Sequence, residues 1–272
     1  MRGINDIYQT ADAAGCEFLF VAVPKKPQYE QFPAFITDHS AANHSDLIAA
    51  LDKNGIPYLD CETALKASRI DEEDIFFHTD HHWRPYSGFV VSGAVCEKLN
   101  ELYSFPYEER YTDIENYNIE TYEKSFLGSQ EKKIGKFFTK YDSDDFDLIT
   151  PKFDTDFTET IPYENSVRNG DFSETLLHKE NLFTSFYHGD RYSTYSGGNR
   201  RLQIIENHLE NNGKKILIIR NSYACVVTPY LALQVDEMHL IDNREMSHID
   251  GPPVDVASYI DEIKPDYVIV IE

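Results

Sequence analysis

The chain has 272 residues, 41% hydrophobic and 13% aromatic, which is enough apolar material for a packed core and too much for a disordered chain. With 47 acidic residues against 25 basic ones, its formal net charge is −22. Such a balance argues against nucleic acid and anionic membrane surfaces as partners and suits neutral substrates.

Residues 4–14 read as a short helix closed by Gly15, and 17–23 as a buried strand, by their continuous apolar run. A helical pattern this close to the first residue suggests a start trimmed from a longer polypeptide. Neither a bilayer-length apolar run nor a signal peptide is visible. Pro24 and Pro27 break the strand, and Phe32-Pro33 closes the loop. Residues 43–53 predict a helix capped near Ser45, with Gly55 beyond its end, and 56–59 a second short strand. Strand, helix and strand in alternation imply a parallel sheet covered by helices.

Next comes Phe77-His78-Thr79-Asp80-His81-His82-Trp83-Arg84-Pro85, which holds three imidazoles, a carboxylate and the chain's only tryptophan. Read as extended, it places His78, Asp80 and His82 on one face and His81 on the other. A carboxylate two residues from an imidazole can orient it as a general base or as a metal ligand. Pro85 fits a first helical position, and the helix runs over 86–102.

Residues 104–198 are rich in Tyr, Phe, Asp and Glu with poor periodicity. They read as an insertion with antiparallel hairpins lying over one end of the sheet, within a single domain of 1–272. Phe126-Leu127-Gly128-Ser129 and the stretch from Gly135 to Phe138 suggest a turn followed by short strands. Asp142-Ser143-Asp144-Asp145 reads as a solvated turn and lacks the longer oxygen pattern of a calcium loop. Alternation returns with a helix marked by Leu202, Ile205 and Leu209. Strand 215–219, helix 223–233, strand 237–241, helix 254–263 and strand 267–271 follow, with right-handed crossovers expected. Cys16, Cys61, Cys96 and Cys225 are scattered without metal-ligand spacing and read as small buried apolar residues.

Ser222 directly follows the strongest strand and precedes a helix, where open α/β sheets place their sites. Backbone N–H groups at such a turn can hold an oxyanion. A serine needs a base, and the base an orienter. His82 and Asp80 supply both, with Asp242 as the rival third member. Gly198 and Asn199 offer a second oxyanion donor. Arg244 reads as a substrate ligand or the ion-pair partner of a carboxylate. Trp83 is expected in the core, with a sugar platform as the other reading, and His78 as a substrate-facing or surface residue. Lys25 and Lys26 read as loop surface.

Asp80-His81-His82-Trp83 resembles the motif that names the bacterial DHHW proteins. These are similar to the SGNH-hydrolase-like domains of periplasmic alginate O-acetyltransferases, where an Asp-x-His-Trp segment precedes the nucleophilic serine. The resemblance extends to Val23-Pro24-Lys25-Lys26, Phe126-Leu127-Gly128-Ser129, Gly197-Gly198-Asn199, Asn221-Ser222-Tyr223 and Asp242-Asn243-Arg244. Two departures matter. The serine follows the Asp/His pair instead of preceding it as in ordinary SGNH hydrolases, and Asn221 stands where the family usually has Asp.

The resemblance implies a three-layer α/β/α sandwich with a mainly parallel sheet, and acyl-ester chemistry on a cell-envelope or secreted glycan. It implies no cofactor or metal, an extracytoplasmic location, and an envelope protein as possible acyl donor. Two other classes stay open: a metal site on His78, Asp80 and His82, and a non-catalytic carbohydrate-binding domain on a degenerate fold.

Overall fold

The apolar runs of the sequence become strands, and most segments between them become helices. A computed structural model describes residues 1–26, 35, 37–135, 137, 143–210, 212–246 and 249–272. The chain runs α1 (Arg2–Ala13), β1 (Glu17–Ala22), α2 (Ser40–Lys53), β2 (Tyr58–Asp60), α3 (Cys61–Ala67), α4 (Glu72–Ile75) and α5 (Pro85–Tyr103). It continues with β3 (Tyr117–Phe126), α6 (Ser129–Ile134), β4 (Asp144–Pro151), β5 (Phe157–Ile161), β6 (Ser166–Gly170) and α7 (Phe172–Thr175). Then come β7 (Leu202–Asn207), β8 (Lys215–Arg220), α8 (Thr228–Leu231), β9 (Glu237–Ile241), α9 (Val256–Ile263) and β10 (Tyr267–Ile271).

The central sheet has the order β2-β1-β10-β8-β9-β7-β5-β6. The first five strands are mutually parallel and the last three join antiparallel. Strands buried on both faces need near-continuous apolar sequence, which β1, β8 and β10 have. Alternate residues then serve opposite layers. Leu19, Val21, Ile216, Ile218 and Ile269 face a core shared with α3, α5 and the segment after Ser222. Phe18, Phe20, Leu217, Val268 and Val270 face a second core covered by α1, α2 and α9. This is the three-layer α/β/α arrangement the sequence predicted.

Several elements differ from expectation. The stretch from Leu202 is strand β7, hydrogen-bonded between β5 and β9, and Leu209 is exposed. Its apolar spacing fits a helix, but Gln203 and Ile205 are buried on one face and Leu202 on the other, so the segment is inward-facing on both sides. Residues 222–234 form a broken series of 3₁₀ turns around α8 instead of one helix. The β-branched Val226-Val227-Thr228 run and Pro229, which lacks an N–H, account for the break. Helix α2 begins at Ser40, and Ser45 lies inside it, donating to the Ala41 carbonyl. Phe126 ends a long strand, paired with β4 in a separate two-stranded sheet, and Ser129 starts α6. Helices α3 and α4 carried no signal that the sequence reading caught. The closure at Phe32-Pro33 lies outside the described residues, as do Lys136, Phe138 and Asp142. All four cysteines are buried with free thiols. No described helix is long and apolar enough to cross a membrane.

Candidate active site

Residues 77–82 form a closed loop, not an extended strand. Phe76 and Trp83 bridge antiparallel, and the Phe77 N–H donates to the His82 carbonyl at 3.1 Å. The Asp80 carboxylate folds back to accept the His82 N–H at 2.9 Å, the local bond that makes Asp a turn residue. The alternation argument for His78 and His81 therefore fails, while the Asp80–His82 pairing survives for a different reason.

Distant residues hold the loop. The Asp144 carboxylate accepts from the N–H groups of His78 and Thr79, both at 2.7 Å, and from the Thr79 hydroxyl at 2.5 Å. Asp144 is buried, so the acidic run is no solvated turn at this position. Lys26, expected as loop surface, donates to the carbonyls of His78 at 2.7 Å and Asp80 at 3.0 Å. Gly128 donates to the Thr79 hydroxyl at 2.8 Å, and a Cβ on it would lie 2.3 Å from the Asp80 Cβ and 2.4 Å from the Thr79 carbonyl oxygen. Gly128→Ala is therefore expected to cost about 1–3 kcal/mol of stability by overpacking and to displace Asp80. A thermal melt read beside esterase activity checks this. An unchanged melting temperature with full activity would mean that the contact relaxes freely.

Within this frame Asp80, His82 and Ser222 come together. Asp80 Oδ1 lies 2.6 Å from His82 Nδ1, and His82 Nε2 lies 2.7 Å from Ser222 Oγ. Asp80 Oδ2 accepts the Ser129 N–H at 2.5 Å. Burial alone would raise the Asp80 pKa, but hydrogen bonds from His81 and His82, the His82 charge and the Ser129 N–H outweigh it and hold the carboxyl well below its usual range. Burial lowers the His82 pKa, and His81 adds to that, against the opposing pull of Asp80. An ionised Asp80 accepts the proton on Nδ1, which leaves Nε2 as the acceptor facing the serine.

His82 is stacked as well as bonded. Its ring lies 4.2 Å from that of Tyr192, nearly parallel to it, and 3.9 Å from that of His81. His81 is thus beside His82, not on an opposite face. It is partly exposed, with Nδ1 3.1 Å from both Asp80 Oδ1 and Ser129 Oγ. Tyr192 went unnoticed in the sequence, where only its place shortly before Gly197-Gly198-Asn199 marks it.

The serine turn is stapled to the same loop. Asn221, standing where Asp was expected, accepts the Tyr223 N–H at 3.0 Å and caps the 3₁₀ turn Ser222–Val226. An uncharged amide performs that capping. The Tyr223 hydroxyl donates to the His81 carbonyl at 2.8 Å, and Trp83 Nε1 donates to the Tyr223 carbonyl at 2.9 Å. Trp83 is fully buried, so it serves the core and offers no sugar platform.

The remaining candidates line the same carboxyl-end rim. Asp242 is buried in a two-point ion pair with Arg244, at 2.9 and 2.6 Å, and bonds no histidine among the described residues, whereas Asp80 bonds His82. Arg244 Nη2 donates to Asn199 Oδ1 at 3.1 Å. The Gly198 N–H is spent on the Tyr195 carbonyl and its own carbonyl accepts from Arg220, so it is no oxyanion donor. His78 is exposed and its donor atoms do not group with those of Asp80 and His82, so the alternative His78-Asp80-His82 metal set is not formed among the described residues. Among the described residues, Asp80, His81 and His82 instead present donor atoms within 4.8 Å of one another. A cation held there would compete for the Asp80–His82 contact.

Known proteins share the fold of this chain. Residues 1–124 match the family model described as the SGNH hydrolase-like domain of acetyltransferase AlgX. No curated protein gave a significant match. A DHHW family protein from Eubacterium siraeum superposes with a TM-score of 0.66 at 21% identity, over 98% of this chain and 80% of the other. Bacillus cereus PatB1, solved with a sulfonyl adduct, gives 0.74 at 18%, over 100% and 86%. The O-acetyltransferase domain of Pseudomonas putida AlgJ gives 0.55 at 13%, over 98% and 78%. The chain has the SGNH-hydrolase-like fold, and it resembles the DHHW proteins and the AlgX-type acetyltransferase domains as its motifs indicated.

Proposed function

We propose that the protein transfers or removes acyl groups, most simply acetyl, through Ser222 as nucleophile, His82 as general base and Asp80 as orienter. The observation that carries this is the continuous bonding from Asp80 through His82 to Ser222, at 2.6 and 2.7 Å. The AlgX-domain match over residues 1–124 supports the same chemistry.

In the proposed reaction His82 Nε2 takes the Ser222 proton while Oγ attacks the ester carbonyl. The oxyanion is held by the Ser222 N–H, which as the first residue of a turn has no intrahelical acceptor. The Tyr223 N–H is occupied by Asn221, so the second donor is the Asn199 side-chain NH₂, whose oxygen end is fixed by Arg244. Collapse of the tetrahedral species breaks the ester C–O bond, and His82 returns the proton to the departing alkoxide. A second hydroxyl, deprotonated by His82, attacks acyl-Ser222 and restores the serine. Water makes the protein an esterase and a sugar hydroxyl makes it a transferase. The substrate class we propose is an acylated cell-envelope or secreted glycan, handled outside the cytoplasm, with an envelope protein as a candidate acyl donor.

Since burial lowers the His82 pKa, the acid limb of kcat/KM is expected to have its midpoint below 6.5. Activity rises with pH through that midpoint as His82 loses its proton. A profile of p-nitrophenyl acetate hydrolysis tests this, and a flat profile or a midpoint above 6.5 counts against the base. A metal-dependent site on Asp80, His81 and His82 is the second reading. It requires activity that falls with chelation and returns with a divalent ion, whereas the serine reading requires indifference to chelator.

A further inference from the structure

The candidate oxyanion loop is built in a costly way. Ser196, Gly197 and Gly198 all have positive φ, at 53°, 61° and 82°. For Ser196 that is a conformation L residues seldom adopt, and such geometry persists only where surroundings enforce it. The His178 ring lies flat against Gly197, where a Cβ would sit 2.7 Å from its Cε1.

Beneath the loop lies a buried polar chain that no step above uses. Gln203 Nε2 donates to the Ser196 carbonyl at 3.2 Å and to Glu159 Oε1 at 2.5 Å. Gln203 Oε1 accepts from Arg220 at 3.1 Å, and the same guanidinium donates to the Gly198 carbonyl at 2.8 Å. Glu159 Oε2 lies 3.0 Å from His178 Nε2. Glu159 and Gln203 are essentially inaccessible to water. Burying a carboxylate costs several kcal/mol, and well-packed apolar residues often do as well for stability. The Gln203 amide accepts from Arg220 and donates to Glu159 at once, which an apolar side chain of the same size cannot do.

We propose that Glu159, Gln203 and His178 are positioning residues that hold the 196–199 loop, and with it the Asn199 amide, in register with Ser222. The inference rests on the serine reading above. Arg220 couples the two halves mechanically. It ends the strand that delivers Ser222, and it grips both Gly198 and Gln203. Removing the chain leaves nucleophile and base in place and misplaces the oxyanion donor.

The test is steady-state hydrolysis of p-nitrophenyl acetate by Gln203→Leu, Glu159→Leu and Glu159→Gln, with thermal melts and pH profiles. The two leucine variants are expected to fold and to lose roughly 10- to 100-fold in kcat with KM nearly unchanged. The His82 acid limb should not move, since the base is untouched. Glu159→Gln, which keeps the shape and an acceptor for Gln203 but loses the one that faces His178, should recover part of the loss from Glu159→Leu. Folded leucine variants with wild-type kcat overturn the proposal. So does failure of both to fold, which would assign the chain to stability, or a shifted acid limb, which would place its effect on His82. Ser222→Ala assayed alongside separates the two ideas, because activity that survives in it defeats the serine reading whatever the buried chain does.

Discussion

Ser222→Ala is expected to lower p-nitrophenyl acetate hydrolysis by at least about 10³-fold while leaving the melting temperature within a few degrees of wild type. The magnitude follows from losing the covalent route, since triads stripped of a member keep only the residual help of oxyanion donors and binding. The fold should tolerate the change. Ser222 is half-buried at the rim, and the turn is held by Asn221, Tyr223 and Trp83 instead. The lost hydroxyl leaves Nε2 of the largely buried His82 without its serine partner, a cost of about 1 kcal/mol. Retained activity in a folded variant would move the chemistry elsewhere.

The second large effect concerns Asp80. Asp80→Asn is expected to cost about 10⁴-fold in kcat, the order seen when an orienting carboxylate becomes an amide. An asparagine in the same place can present its NH₂ to His82 Nδ1. That favours the tautomer with the proton on Nε2, aimed at the serine instead of accepting from it. The variant also loses the carboxylate that stabilises the imidazolium in the transition state. Because Asp80 binds the N–H groups of His82 and Ser129 as well as two imidazoles, stability should fall too. Low-salt circular dichroism and kcat on the same sample separate the two effects. A folded Asp80→Asn with near-wild-type kcat would mean that His82 is oriented by its stacking against Tyr192 alone.

How much of this was readable in the chain depends on how local each determinant is. The buried parallel strands were legible because β1, β8 and β10 are continuous apolar runs flanked by breakers. The Asp80–His82–Ser222 grouping was legible because two short motifs carry it, at a loop and at a strand-to-helix turn. The geometry of the loop was not. Period-two reasoning assumes an extended chain, and a single Asx bond from Asp80 to the His82 N–H curls it instead. β7 was misread because a strand inward-facing on both sides shows no alternation, and its buried polar residue, Gln203, looks like a helix's wet face. Asp144, Tyr192 and Glu159 were invisible as site residues, because the roles of the first two come from contacts 65 or more positions away and that of the third from burial deep in the sheet. Asp144 hid in an acidic run whose usual meaning is solvent exposure.

The most direct test of the account is whether an acyl group ever rests on Ser222. Wild-type protein mixed with p-nitrophenyl acetate, quenched in acid within its first turnovers and digested, should yield an acetylated peptide containing Ser222 by mass spectrometry. The adduct should be absent from Ser222→Ala and strongly reduced in His82→Ala. An acetyl group found only on lysines, or on the Ser222 peptide to the same extent without His82, would contradict a serine nucleophile activated by this histidine.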